Sequence, residues 1–187
     1  MGASDFSGKL IRLTPVNLEK DIEFVANWQQ DSEYLRLMDS SVAFPFTTKQ
    51  IKEWYEKSYP DRYEFMIRKL DDEKPLGFVE LGGINWTARN AWVGIGIGDR
   101  NNWGKGIGFE AMQLMLKFAF KELNLSQIFL DVFEYNLRAI NFYRKVGFKV
   151  ESRQREIIFR DGKRSDVIVM GISRDEWKEK SMITLSE

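Results

Sequence analysis

The chain has 187 residues, 43% hydrophobic and 30% charged, a balance that suits one core-forming domain and excludes wholesale disorder. Its 28 Lys plus Arg cancel 28 Asp plus Glu, so no global field draws it to nucleic acid or to an anionic membrane, and neither is expected as a partner. Cysteine and histidine are both absent, which removes disulfides, thiolate and imidazole metal ligands, thiol nucleophiles and every Ser-His or Cys-His couple, so no metal is expected.

No window approaches 18 apolar residues. The opening Met-Gly-Ala-Ser-Asp-Phe has neither the basic and apolar regions of a signal peptide nor the Ser or Thr of a myristoylation site. The expectation is a cytoplasmic protein of one domain over residues 1–187, with residues 1–8 disordered.

Leu10–Leu13 reads as a short strand. Asn17–Gln29 reads as a helix, with Leu18, Ile22, Val25 and Trp28 on one face at offsets of 4, 3 and 3. Thr47-Thr48-Lys49-Gln50 matches a capping box and opens a second helix carrying Ile51, Trp54 and Tyr55. Tyr63–Ile67, Leu76–Ile84 and Ala91–Ile97, separated by turn-rich segments, predict an antiparallel meander. An amphipathic helix follows, with Ile107, Ala111, Leu114, Met115, Phe118 and Leu123 on its apolar side. Then come a strand over Gln127–Phe133, a helix over Leu137–Val146 and a long strand over Phe148–Phe159. Asp161-Gly162 signals a hairpin into a last strand, Ser165–Ile172, before a polar tail helix from Arg174 within residues 174–187. The fold class is α/β (α+β), a mixed sheet flanked by helices, and the unit Ala91–Phe133 should be a right-handed crossover with parallel strands.

The most informative segment is Gly94-Ile95-Gly96-Ile97-Gly98-Asp99-Arg100-Asn101-Asn102-Trp103-Gly104-Lys105-Gly106-Ile107-Gly108, between a strand and the strongest helix. Glycines there let successive N–H groups converge, and the helix start adds its positive end, which suits a phosphate or pyrophosphate. A Walker A loop does not fit: five residues separate Gly98 from Gly104, and Gly106 follows Lys105 where Ser or Thr is required. A dinucleotide fingerprint fits poorly, because Gly104, Gly106 and Gly108 are evenly spaced.

Trp103-Gly104-Lys105-Gly106-Ile107-Gly108 resembles the acyl-coenzyme A pyrophosphate loop of the GNAT N-acetyltransferase superfamily, Gln/Arg-x-x-Gly-x-Gly/Ala, with Trp103 at the Gln or Arg position. Asn136-Leu137-Arg138-Ala139-Ile140-Asn141-Phe142-Tyr143-Arg144-Lys145-Val146-Gly147-Phe148 resembles its second element, Asn-x-x-Ala-x-x-x-Tyr-x-x-x-Gly-Phe. Asn136 is also a good N-cap, and Gly147 a good helix-ending residue. The pattern is most similar to the branch of ribosomal-protein N-terminal acetyltransferases and spermidine acetyltransferases.

That resemblance implies a mostly antiparallel sheet splayed between two parallel strands, with acetyl-coenzyme A as co-substrate between them. It implies cofactor contacts from Ile97, Gly98, Trp103 (through its backbone donor), Gly104, Lys105, Gly106, Ile107, Gly108, Asn136, Ala139 and Tyr143, and a possible homodimer. The acceptor is a primary amine: a protein N-terminus first, then a polyamine or aminoglycoside-like amine. The alternative is a non-catalytic acyl-coenzyme A sensor. Tyr143 is the candidate acid for the departing sulfur and Glu80 the candidate base, with Glu134 in reserve or a water relay instead. Of the aromatics Trp28, Phe44, Phe46, Trp54 and Tyr55, most are expected in the core, Trp28 and Trp54 by their helical spacing.

Overall fold

A computed structural model describes residues 6–57 and 61–185, with side chains to residue 180. Residues 1–5 of the expected disordered segment lie outside the described residues. Its remainder is ordered: Ser7 bridges Arg12, Phe6 accepts from the Leu13 N–H at 2.8 Å, and the Phe6 ring packs on Phe65. The Glu110 carboxylate fastens this segment, accepting from the N–H groups of Lys9, Leu10 (2.8 Å) and Ile11 (3.0 Å).

Seven strands form one sheet in the order β1-β2-β3-β4-β5-β7-β6. They are β1 (Ile11–Thr14), β2 (Tyr63–Lys69), β3 (Pro75–Asn85), β4 (Asn90–Ile97), β5 (Gln127–Phe133), β6 (Lys149–Arg160) and β7 (Lys163–Ser173). The helices are α1 (Leu18–Trp28), α2 (Ser32–Met38), α3 (Thr48–Glu56), α4 (Ile107–Lys117), α5 (Leu137–Val146) and α6 (Arg174–Leu185). β1–β2, β5–β7 and β6–β7 pair antiparallel, and β4–β5 is parallel. This is the mixed, mostly antiparallel sheet expected. The parallel ladder joins Asn90, Ala91 and Trp92 to Gln127, Ile128 and Phe129, while β4 runs on to Ile97 and β5 to Phe133. No described helix is long and apolar enough to cross a membrane.

The described chain divides into two compact units, one of residues 1–80 with 94–114 and one of residues 81–93 with 115–187. The first has a core of Val25, Trp28, Tyr34, Ile51 and Met66. Asn17, read as the first residue of the helix, instead caps α1, and the capping box at Thr47 forms on both sides. Beneath α1, Asp21 is fully buried and meets Arg68 Nη2 at 2.7 Å, an ion pair that helical periodicity does not announce. α2 has no counterpart among the expected elements. It is one short run, capped by Asp31, whose side chain accepts from the N–H groups of Glu33 and Tyr34.

In the second unit the helix reading extends too far as regular α-helix. After Lys117 the chain widens into a π-turn over Phe118–Glu122, where the Leu123 N–H donates to Phe118. That turn rephases the side chains and buries Ala119 and Phe120. The Asp161-Gly162 hairpin forms with φ of 52° and 73°, both in the left-handed region that a two-residue turn requires. β6 is interrupted by register shifts, and Glu156 adopts φ 55° within one of them.

Candidate active site

Strand β4 carries glycine at alternate positions, so Gly94, Gly96 and Gly98 share one face. That face is covered. A Cβ at Gly98 would fall inside the Trp28 ring, and one at Gly96 would lie 2.6 Å from Tyr34 Oη and 2.8 Å from Phe78. At Gly94 it would stand 3.0 Å from Glu80 Oε1. These three glycines let the side chains of α1, α2 and β3 lie directly on the strand backbone.

The end of β4 is held from both directions. The Gly98 N–H donates to Leu76 O at 2.9 Å, and the Trp103 indole N–H donates to Ile97 O at 2.8 Å. The Trp103 backbone N–H donates to Arg100 O at 3.0 Å, closing the short 3-10 turn. The backbone N–H groups of Gly98 and Trp103 are thus both engaged within the chain. Arg100 in turn grips Asp31, and meets Glu33 at 2.6 Å. Its guanidinium holds the Asp31 carboxyl down at about 2, chiefly by hydrogen bonding.

Past Trp103 the character changes. Gly104 has φ 74° and Gly106 φ 84°, a conformation in which a β-carbon is strained. Space around Gly104 is open to 4 Å, and the nearest atom to a Cβ at Gly106 is Leu10 Cδ1 at 3.5 Å. The first helical bond of α4 here runs from the Glu110 N–H to Gly106 O. Among the described residues, the N–H groups of Gly104, Lys105, Gly106, Ile107 and Gly108 have no recorded partner. These amides lie at the positive end of an 11-residue helix, an arrangement chemically suited to a phosphate.

Glu80 does not stand alone. Arg62 Nη2 lies 2.6 Å from Glu80 Oε2 and 2.8 Å from Glu64 Oε2, and its guanidinium lies 4.2 Å from the centre of the Trp54 ring. The Tyr55 hydroxyl stands beside Glu64. Burial, opposed by Arg62 and reinforced by Glu80, pushes the Glu64 carboxyl up to about 7. Burial and the Glu64 carboxylate raise the Tyr55 phenol. Glu64 was not among the sequence candidates. Its only sequence signal is a carboxylate amid the apolar residues of Tyr63–Ile67, on the strand face that also carries Met66.

The aromatic expectations divide. Trp28 is core, and Tyr55 packs partly buried against the same cluster. Trp54 is 41% exposed with Arg62 against its ring, so its helical spacing misled. Phe44 and Phe46 are exposed and pack edge to face on each other. A cavity of about 230 Å³ is lined by Val16, Trp54, Tyr55, Lys57, Arg62 and Glu64. A larger one, about 850 Å³, adjoins Arg12, Lys20, Phe24 and Arg68 and touches none of the expected site residues.

In the second unit, Asn136 caps α5: its Oδ1 accepts from the Ala139 N–H at 3.2 Å. Tyr143 lies two turns on, buried and edge-on to Phe148, and burial together with the Asp131 charge raises its phenol. Gly147 ends the helix at φ 127°, its N–H on Tyr143 O. Glu134 is engaged structurally, accepting from the Asp166 N–H at 2.8 Å and pairing with Arg153 at 3.2 Å.

The fold is thus an α/β one, in which the parallel strand β4 of a mixed sheet runs through a glycine loop into the open start of α4. The chain belongs to the acetyltransferase (GNAT) domain family, whose model matches residues 11–149. It is an N-acetyltransferase. It is 28% identical to a prophage-derived uncharacterised N-acetyltransferase of Bacillus subtilis, over 95% of this chain and 98% of that one. It is 29% identical to the spermidine N(1)-acetyltransferase of Escherichia coli, over 91% of this chain and 90% of that one. The crystal structure of spermidine N-acetyltransferase from Vibrio cholerae in complex with CoA and spermine superposes with a TM-score of 0.81 at 25% identity, covering 90% of this chain and 98% of that one.

Proposed function

We propose that this enzyme moves an acetyl group from acetyl-coenzyme A directly to a primary amine of a polyamine. The open amides of Gly104–Gly108 carry the reading, because they supply what a pyrophosphate needs and leave no side chain in its way. The relatives move the acceptor preference from a protein N-terminus to a polyamine, since those with a named acceptor act on spermidine. They give no support to the sensor alternative.

The composition agrees with direct transfer, as no Cys is present to carry an acyl intermediate and no His to activate a serine. The amine nitrogen attacks the thioester carbonyl carbon, the C–S bond breaks, and sulfur departs with the electron pair. Tyr143, whose phenol is held protonated by burial, is proposed as the donor to that sulfur. A thiolate, whose thiol has a pKa of about 8.5, is a weaker base than such a phenolate, so Tyr143 serves by hydrogen-bonding the developing thiolate, not by surrendering its proton outright. Asn136 and Ala139 fix the start of its helix. Lys105 is exposed and adds positive charge beside the loop. Glu80 shares Arg62 with Glu64 and holds that guanidinium in place.

The test is release of free thiol from acetyl-coenzyme A over spermidine, spermine, peptides with free α-amines, and aminoglycosides. Fast release with polyamines is the expected result. Release only with peptides would restore the N-terminal acceptor, and coenzyme A binding without release in any arm would overturn the reading.

A further inference from the structure

We propose that Glu64 is the proton acceptor for the incoming ammonium, and that the cavity it lines with Trp54 and Tyr55 receives that ammonium. The inference rests on the N-acetyltransferase reading and assigns its acceptor-side base to a residue that spacing did not reveal.

Charge counting is the first argument. One guanidinium, Arg62, serves two carboxylates through the same Nη2, at 2.8 Å from Glu64 and 2.6 Å from Glu80. The cluster is therefore one positive charge short, and either a proton or a second cation completes it. Geometry is the second. Glu64 Oε2 is held by Arg62 and the Tyr55 hydroxyl also leans on this carboxyl, whereas Oε1 is buried without a hydrogen bond of good geometry among the described residues. An ammonium N–H placed there would satisfy a group that otherwise carries a desolvation cost. Aromatic faces also suit an alkylammonium, and Trp54 and Tyr55 both line the same 230 Å³ cavity. The groups facing Glu64 are Arg62 just before β2, Glu80 on β3 and Tyr55 on α3, with exposed Lys57 also on the cavity wall.

The raised carboxyl supports the same role, since a base is most useful when its pKa lies near the working pH. In the step proposed, the Glu64 carboxylate takes one of the three ammonium protons, leaving a neutral carboxyl and a neutral amine. The amine lone pair forms the C–N bond, the C–S bond breaks, and the second nitrogen proton passes to sulfur. Glu64 then returns its proton to water, so the sum is ammonium plus acetyl thioester giving amide, free thiol and one proton.

The experiment follows kcat/KM for spermidine from pH 5.5 to 9.5 in the full chain, alongside calorimetric coenzyme A affinity. Wild type should show a rising limb with an apparent pKa near 7. Glu64→Gln should lose that limb and about 100-fold in kcat, while coenzyme A affinity stays within about twofold. Glu64→Asp should restore the limb at reduced rate. A Gln variant that keeps limb and rate overturns the proposal, and so does one that loses coenzyme A binding in step, since that marks a purely structural residue. If wild type acetylates no amine, the failure belongs to the enzyme reading. The proposal is then decided by infrared titration of the buried carboxyl, whose apparent pKa should fall by one unit or more with saturating spermidine; an unmoved titration refutes it.

Discussion

Two glycine triplets sit ten residues apart with the same alternating spacing, and they do opposite things. Gly94 and Gly96 on β4, and Gly98 just past its end, have their missing side chains replaced by Glu80, Tyr34 and Trp28 from neighbouring elements. Gly104, Gly106 and Gly108 lie at a helix start where two of them need positive φ and nothing fills the space over Gly104. The first triplet is about steric closeness and the second about backbone direction. A glycine pattern therefore points to a ligand only when its amides are left without partners, and here that condition separates Gly104–Gly108 from Gly98.

The sharpest way to break this contrast is to give each triplet a side chain. Gly98→Val should be the most damaging, since its branches would enter the Trp28 ring, and a loss of about 3 kcal/mol or more in chemical denaturation is expected. Gly106→Val should cost only about 1–2 kcal/mol of stability from its backbone strain, yet lower coenzyme A affinity by about 100-fold or more in calorimetry. Equal stability losses in the two variants would erase the distinction.

Stability against pH is the next effect in size, and it tests Glu64, which shares Arg62 with the Glu80 that packs on Gly94. Glu64 is raised from 4.5 to about 7 on folding, so the folded chain holds a proton that the unfolded chain has released. Its contribution is thus fully present below pH 4.5 and disappears as pH rises through about 7, a change of order 2–3 kcal/mol across that window. Glu64→Gln should flatten this fall in thermal denaturation; an unchanged slope would place the titration elsewhere. Tyr143→Phe should lower kcat by about 10- to 100-fold with coenzyme A affinity intact, and unaltered turnover would remove it as the donor to sulfur. Smallest of all is Gly104→Ala, whose strain should cost about 1 kcal/mol with no clash to add.

Much of this fold was legible in the sequence because its signals are local. Periodicity and turn residues located β5 and α5 at their ends, Asn136 and Gly147 marked the caps, and Asp161-Gly162 marked the hairpin. What escaped depended on neighbours distant in the chain. Asp21 reads as a polar helix residue until Arg68, 47 positions on, meets it under the helix. α2 was hidden because seven residues give too little periodicity to separate a helix from a loop. At the site, the proposed phosphate loop Gly104–Gly108 stood out in the sequence because its features are backbone ones carried by consecutive residues. Glu64 did not, since its perturbation needs burial, Arg62 and Glu80 together. The engagement of the Trp103 and Gly98 N–H groups by Arg100 and Leu76 is likewise not revealed by spacing alone.

The decisive measurement is an amide-resolved NMR titration of the isotopically labelled chain with coenzyme A. The account predicts that the amides of Gly104, Lys105, Gly106, Ile107 and Gly108 shift most and become slow to exchange with solvent, while the Gly98 amide, already bonded to Leu76, keeps its exchange rate. Coenzyme A binding that leaves the Gly104–Gly108 amides unmoved and freely exchanging would contradict it.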